Sequence, residues 1–82
     1  MNQMQTYYVV KRTKEKDEEF AVIDAMSLDE ASAIFGVRNN ADKEAMEEGE
    51  AFYIFQVNGQ LMFDENQRLV FPKGNMSIIN KW

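Results

Sequence analysis

Residues 49–63, GEAFYIFQVNGQLMF, carry apolar side chains at both odd and even positions around an Asn-Gly pair. No other stretch constrains the fold as strongly. Asn58-Gly59 between apolar runs predicts a two-residue hairpin loop, because a type I′ turn needs positive φ at both central positions. Such a loop sets Val57 opposite Gln60, Phe55 opposite Met62 and Ile54 opposite Phe63. Side chains alternate between faces along a strand. One face therefore gathers Tyr53, Phe55, Val57 and Met62, and the other Phe52, Ile54, Leu61 and Phe63, with Gln56. Both faces of this sheet call for cover.

The flanking sequence supplies further strands. TYYVVKRT (6–13) is β-branched and aromatic, and EFAVIDA (19–25) alternates, placing Phe20, Val22 and Asp24 opposite Ala21, Ile23 and Ala25. With the charged KEKDE between them they predict an antiparallel hairpin. RLVF, closed by Pro72, predicts a fifth strand, and MSIINKW (76–82) a last one.

Between the two halves lie helix signals. Ser27-Leu28-Asp29-Glu30 is a capping box in which the Ser27 hydroxyl accepts from the Glu30 amide and the Glu30 carboxylate reaches back to the Ser27 amide. LDEASAIF then presents Leu28, Ala31, Ile34 and Phe35 on one stripe, and Gly36 is placed to end the helix as its left-handed C′ residue. A second short helix is expected over ADKEAMEE after Asn40, with Ala41, Ala45 and Met46 as its thin apolar side. The expected fold is α+β: one domain over residues 1–82, an antiparallel sheet of about five to six strands in ββαα-βββ order, and two short helices packed on one face.

Two helices of about eight residues cover one side of such a sheet, so the other apolar face needs a second cover. Either the sheet folds over on itself, or part of that face meets a partner or another copy of the chain. Tyr7, Tyr8, Tyr53, Phe55, Met62 and Trp82 are the apolar candidates for such contact, since aromatics and Met are enriched in interface cores.

Charge is distributed in blocks. The chain has 82 residues and a net charge of −5. Residues 1–16 carry Lys11, Arg12, Lys14 and Lys16 against Glu15. Residues 17–30 carry six acids and no base, and 42–50 carry five acids and one lysine. Asp17, Glu18, Glu19, Asp42, Glu44, Glu47, Glu48 and Glu50 are the acidic candidates for docking to a basic surface, which such charge also steers toward. Together the blocks hold about half the charge of one duplex turn, which carries roughly twenty phosphates. That suits plugging a basic groove better than mimicking DNA at length.

Other chemistries are weakly supported. There is no His and no Cys, so the commonest general base and the strongest nucleophile are absent. Ser27 reads as a cap and Ser32 as helix surface, and neighbouring acids such as Glu47/Glu48 or Asp64/Glu65 point apart. No catalytic residue and no cofactor are expected. Asp42, Glu44, Glu47 and Glu48 lack the ordered spacing of a calcium loop, so no metal site is expected either. Direct nucleic-acid binding would use Lys11, Arg12 and Lys14 with Tyr7 or Tyr8 as a stacking platform, against the overall field of the chain. AFYIFQVN lacks the basic-glycine-aromatic pattern of an RNA-recognition sheet.

No secretory signal and no membrane span is read from the sequence, and Asn75-Met76-Ser77 is taken as a chance sequon, so a cytoplasmic protein is expected. In size, acidity and lack of His and Cys the chain is similar in type to the small accessory proteins of phages and mobile elements, on no specific motif. The expected role is a non-catalytic interaction module that inhibits or modulates a partner protein. A homo-oligomer, joined through the second sheet face or the terminal strand, is the alternative.

Overall fold

The structure is a computed structural model describing residues 3–57 and 59–80. Its elements are β1 (Gln5–Arg12), β2 (Asp17–Ala25), α1 (Leu28–Arg38), α2 (Asn40–Glu44), β3 (Ala51–Phe55) and β4 (Met76–Asn80). The strands form one antiparallel sheet in the order β2-β1-β3-β4. The α+β class and the two short helices agree with expectation. The strand count and order do not: among the described residues four strands form, in ββααββ order.

The first hairpin forms because it is local. β1 and β2 pair from Gln5↔Ala25 to Arg12↔Asp17 around a turn in which the Thr13 amide donates to the Lys16 carbonyl at 2.8 Å. A bulge falls where the pairing shifts between Val9↔Ala21 and Val10↔Glu19. The extra residue is Phe20, and it breaks the predicted alternation: its ring packs with Phe35 and Phe52 on the same side as Ala21 and Ile23. A bulge of this kind re-aims one side chain, here to complete an aromatic trio under the helix.

α1 begins as the capping box requires, with the Glu30 amide donating to Ser27 Oγ at 3.1 Å. The reciprocal bond reaches one residue further back than expected: the Met26 amide donates to Glu30 Oε1 at 2.8 Å. The helix does not stop at Gly36. It runs on to Arg38, with Asn39 as its C-cap and α2 following directly. Continuing the helix allows the Asn39 amide to bond the Phe35 carbonyl, and the turn to α2 is made by Asn39 instead. α2 is shorter than predicted. Of its expected apolar side, Ala41 and Ala45 are exposed, and only Met46, just beyond it, is buried.

The largest departure follows the opening stretch. Phe55 and Ile54 pair with Met76 and Ser77 of β4, where Met62 and Phe63 were expected. β3 is thus hydrogen-bonded on both sides, to β1 and to β4, and no edge remains for residues 60–63. Asn58 lies outside the described residues; Gly59 has φ +108°, compatible with a turn. Residues 61–71 form no strand beyond a single bridge between Phe63 and Leu69. They leave the sheet plane and lie over its second face.

Two apolar layers result. On the helix face, Tyr7, Val9, Ile23, Phe52 and Ile54 pack against Ala31 and Phe35. On the other, Val10, Ala51, Tyr53 and Phe55 are closed by Leu69, with Tyr8, Val57, Leu61 and Met76 around them. The second cover is therefore the chain's own Val57 and residues 59–72, here termed the flap. The face is thus covered within the chain, but by an irregular segment and not by the expected folding of the sheet on itself.

Candidate functional site

The flap is pinned at one point. Asp17, the first residue of β2, has a fully buried side chain that accepts from Arg12 Nε and Nη2 (both 2.8 Å), from Arg68 Nη1 (3.1 Å) and from the Leu69 amide (2.7 Å). Arg68 also donates to the carbonyls of Thr13 (2.8 Å) and Lys14 (2.7 Å), and the Asp17 amide donates to the Gln67 carbonyl at 2.8 Å. Burial alone pushes the Asp17 carboxyl up, but the bonds from Arg12, the Leu69 amide and Arg68 outweigh it and bring it to about 2. The Arg12 guanidinium, raised in turn chiefly by Asp17, lies 5.2 Å from the Tyr53 ring centroid and 5.4 Å from that of Phe71. Phe71 meets Tyr53 edge-on at 5.3 Å. One carboxylate thus joins the hairpin turn, the sheet and the flap.

Several predicted contact residues belong to this interior. Asp17 is 3% exposed, and Tyr7, Tyr53 and Phe55 are buried, so none of them presents a surface to a partner. The reason is physical: Tyr7 lies under α1, while Tyr53 and Phe55 lie under the flap. Tyr8 is half-buried against the flap layer. Met62 is exposed, and Trp82 lies outside the described residues. The nucleic-acid reading loses its face for the same reason. Lys11 reaches over the Phe52 ring on the helix side, at 5.8 Å, whereas Arg12 is held on the opposite side by Asp17.

Five of the remaining acids share one end of the sheet. Arg12 is the register partner of both Asp17 and Ala51, so the start of β2 and the start of β3 share one end of the sheet, separated by the width of β1. Strand spacing puts them roughly 10 Å apart. Glu18 and Glu19 follow the first start, and Glu47, Glu48 and Glu50 precede the second. Glu50 Oε1 accepts from the Glu47 amide at 3.0 Å, which folds this second block into a tight turn at Gly49, φ +92°. Asp42 accepts from Asn39 Nδ2 at 3.1 Å within α2, and Glu44 is exposed at its end. Lysines intervene: Lys16 pairs with Glu18 at 3.4 Å, and Lys14 runs beside Gly49.

Exposed apolar groups border this end and continue along the flap. Phe63, 38% exposed, shares a shallow depression with Glu18, Glu19 and Asp64. Met62, Val70 and Phe71, all exposed, line with Val57 and Leu61 a groove of about 370 Å³. Sequence reasoning did not single out Phe63, Val70, Phe71, Arg12 or Arg68 as one surface and its anchor. The available signal was Arg68 opening the apolar run RLVF, a charge that needs a partner if that run is to lie against the sheet.

Among the described residues, no group of three or more acidic side chains is placed to hold a metal ion, and no helix is long and apolar enough to cross a membrane. Comparison with protein-family models, with curated proteins and with solved structures finds no match.

Proposed function

We propose that the protein is a non-catalytic interaction module that docks on a basic surface of another protein and so modulates or inhibits it. One observation carries this reading: the β-register brings Glu18 and Glu19 together with Glu47, Glu48 and Glu50 at one end of the sheet, beside exposed Phe63. Acids at a rim steer association and set register, while a neighbouring aromatic supplies the apolar anchor. A partner that itself grips nucleic acid offers the matching chemistry, a basic groove with apolar walls.

The test is capture from host lysate at low salt, followed by measurement of the captured protein's affinity for wild type, for a Glu44, Glu47 and Glu48 to Lys variant, and for Phe63→Ala. The proposal expects a basic partner whose affinity falls steeply with added salt and is largely lost on charge reversal. Binding that is insensitive to salt and survives the charge-reversed variant contradicts it.

A further inference from the structure

The two edges of the sheet are built differently. β2, one edge, carries Glu18, Glu19 and Asp24 and the bulge at Phe20. Charges and bulges are the devices that keep an open edge from pairing with another chain. β4, the other edge, has none of them. Met76-Ser77-Ile78-Ile79-Asn80 contains no charge and no proline, and it pairs with β3 in unbroken register. Ser77 is tied to Ser32 of α1 at 2.8 Å, which holds the strand in place from the helix side. On the flap side, Ile78 is 52% exposed. By register it neighbours Tyr53, whose ring carries the half-exposed Phe71. Apolar surface therefore runs off the flap to the open edge of the sheet.

We propose that the outer edge of β4 pairs antiparallel with β4 of a second copy, the two-fold axis passing at Ile78, to give a continuous eight-stranded sheet. Charge selects both the edge and the occupant. Two chains of net charge −5 repel each other, which favours a contact between identical surfaces where charge is absent. Antiparallel self-pairing of β2 would set Glu18 and Glu19 of one copy near Asp24 of the other. Self-pairing of β4 sets Ile78 against Ile78, Ser77 against Ile79 and Met76 against Asn80, with no ionised group in the pairing. The pattern is self-complementary, as an isologous contact requires. Met76, Ile78 and Asn80 share the flap face in both copies, so Ile78 meets its equivalent across the axis. With five residues per strand the interface is small, and a weak dimer is expected. The inference is independent of the proposed docking function, because the acidic end takes no part in it.

Because the chain contains no cysteine, single-cysteine variants give an unambiguous test. Residues directly opposed in antiparallel strands have Cβ atoms about 4.5–5.5 Å apart, close to disulfide geometry. Ile78→Cys treated with diamide is expected to form a disulfide-linked dimer, whereas Val22→Cys on the β2 edge, also exposed, is not. In sedimentation velocity the wild type is expected to shift toward dimer mass as concentration rises through the micromolar range. Ile78→Lys, with unchanged circular dichroism, is expected to weaken association by about tenfold or more. A wild type that stays monomeric throughout, a dimer indifferent to Ile78→Lys, or preferential cross-linking of Val22→Cys overturns the proposal.

Discussion

Asp17 does more for this fold than its position in an acidic run suggests. Its carboxylate accepts four hydrogen bonds from two arginines and a backbone amide, three of them at 2.8 Å or less and a fourth from Arg68 at 3.1 Å. In the folded chain it titrates at about 2, against 3.8 for an unperturbed carboxyl. A carboxyl with a depressed folded pKa contributes stability that is fully present above the unfolded value and is lost as pH falls toward the folded one. For Asp17 that window runs from about pH 4 down to about pH 2, and the contribution is about 2 kcal/mol. Acid titration of unfolding free energy should show this loss, and Asp17→Asn should flatten it. The same substitution should also destabilise at neutral pH by roughly 3 kcal/mol, because both arginines lose their buried anionic partner and one acceptor oxygen is replaced by a donating amide. Gly36 makes the opposite case. It sits inside α1, and an added methyl would meet only the end of Lys43, at 3.5 Å. Gly36→Ala should stabilise by about 0.5–1 kcal/mol, raising the thermal midpoint by roughly 4 °C. An unchanged or lower midpoint would show that the helix does not run through this position.

At the scale of elements, what could be read from the sequence was what is local. The β1–β2 hairpin follows from TYYVVKR, a charged turn and EFAVIDA, and the start of α1 from Ser27 and Glu30, each within a few residues of its partner. The two-sidedness of AFYIF was also legible, and with it the need for a second cover. What covers that face was not, because Asn58-Gly59 argues locally for a hairpin while β4, more than twenty residues beyond β3, competes for the same edge. β4 takes the edge, and the apolar side chains of 57–71 become a lid. Of the candidate site, the acidic blocks were visible in composition, but their convergence depends on the long-range pairing of β3 with β1. The loss of Tyr53 and Phe55 to the interior depends on the flap. If the flap is held by Leu69 and the Asp17 cluster, Leu69→Ala should cost about 2–4 kcal/mol and loosen the flap first. Trypsin cleavage after Arg68 should accelerate well before the rest of the chain is cut. Uniform cleavage throughout would mean that flap and sheet unfold together.

Among the described residues the molecule is a four-stranded sheet sandwiched between a helix and an irregular lid, with Glu18, Glu19, Glu47, Glu48 and Glu50 at one end and apolar groups exposed along the lid. Such a surface suits recognition. Reversing Glu18, Glu19, Glu47 and Glu48 to lysine leaves the buried Asp17 cluster untouched, so folding should survive while affinity for a basic partner and its salt dependence fall together. Loss of folding in that variant would instead assign these acids a structural role. The exposed set on which this reading rests exists only because the lid occupies the second sheet face, and the Leu69 amide reports that occupancy directly. Native-state hydrogen exchange at this amide should show protection close to that of the β1–β3 pairing in wild type, and near-loop exchange in Asp17→Asn while the sheet amides stay protected. Fast exchange at Leu69 in the wild type would mean that the second face is not closed by its own chain, and would contradict the account at its base.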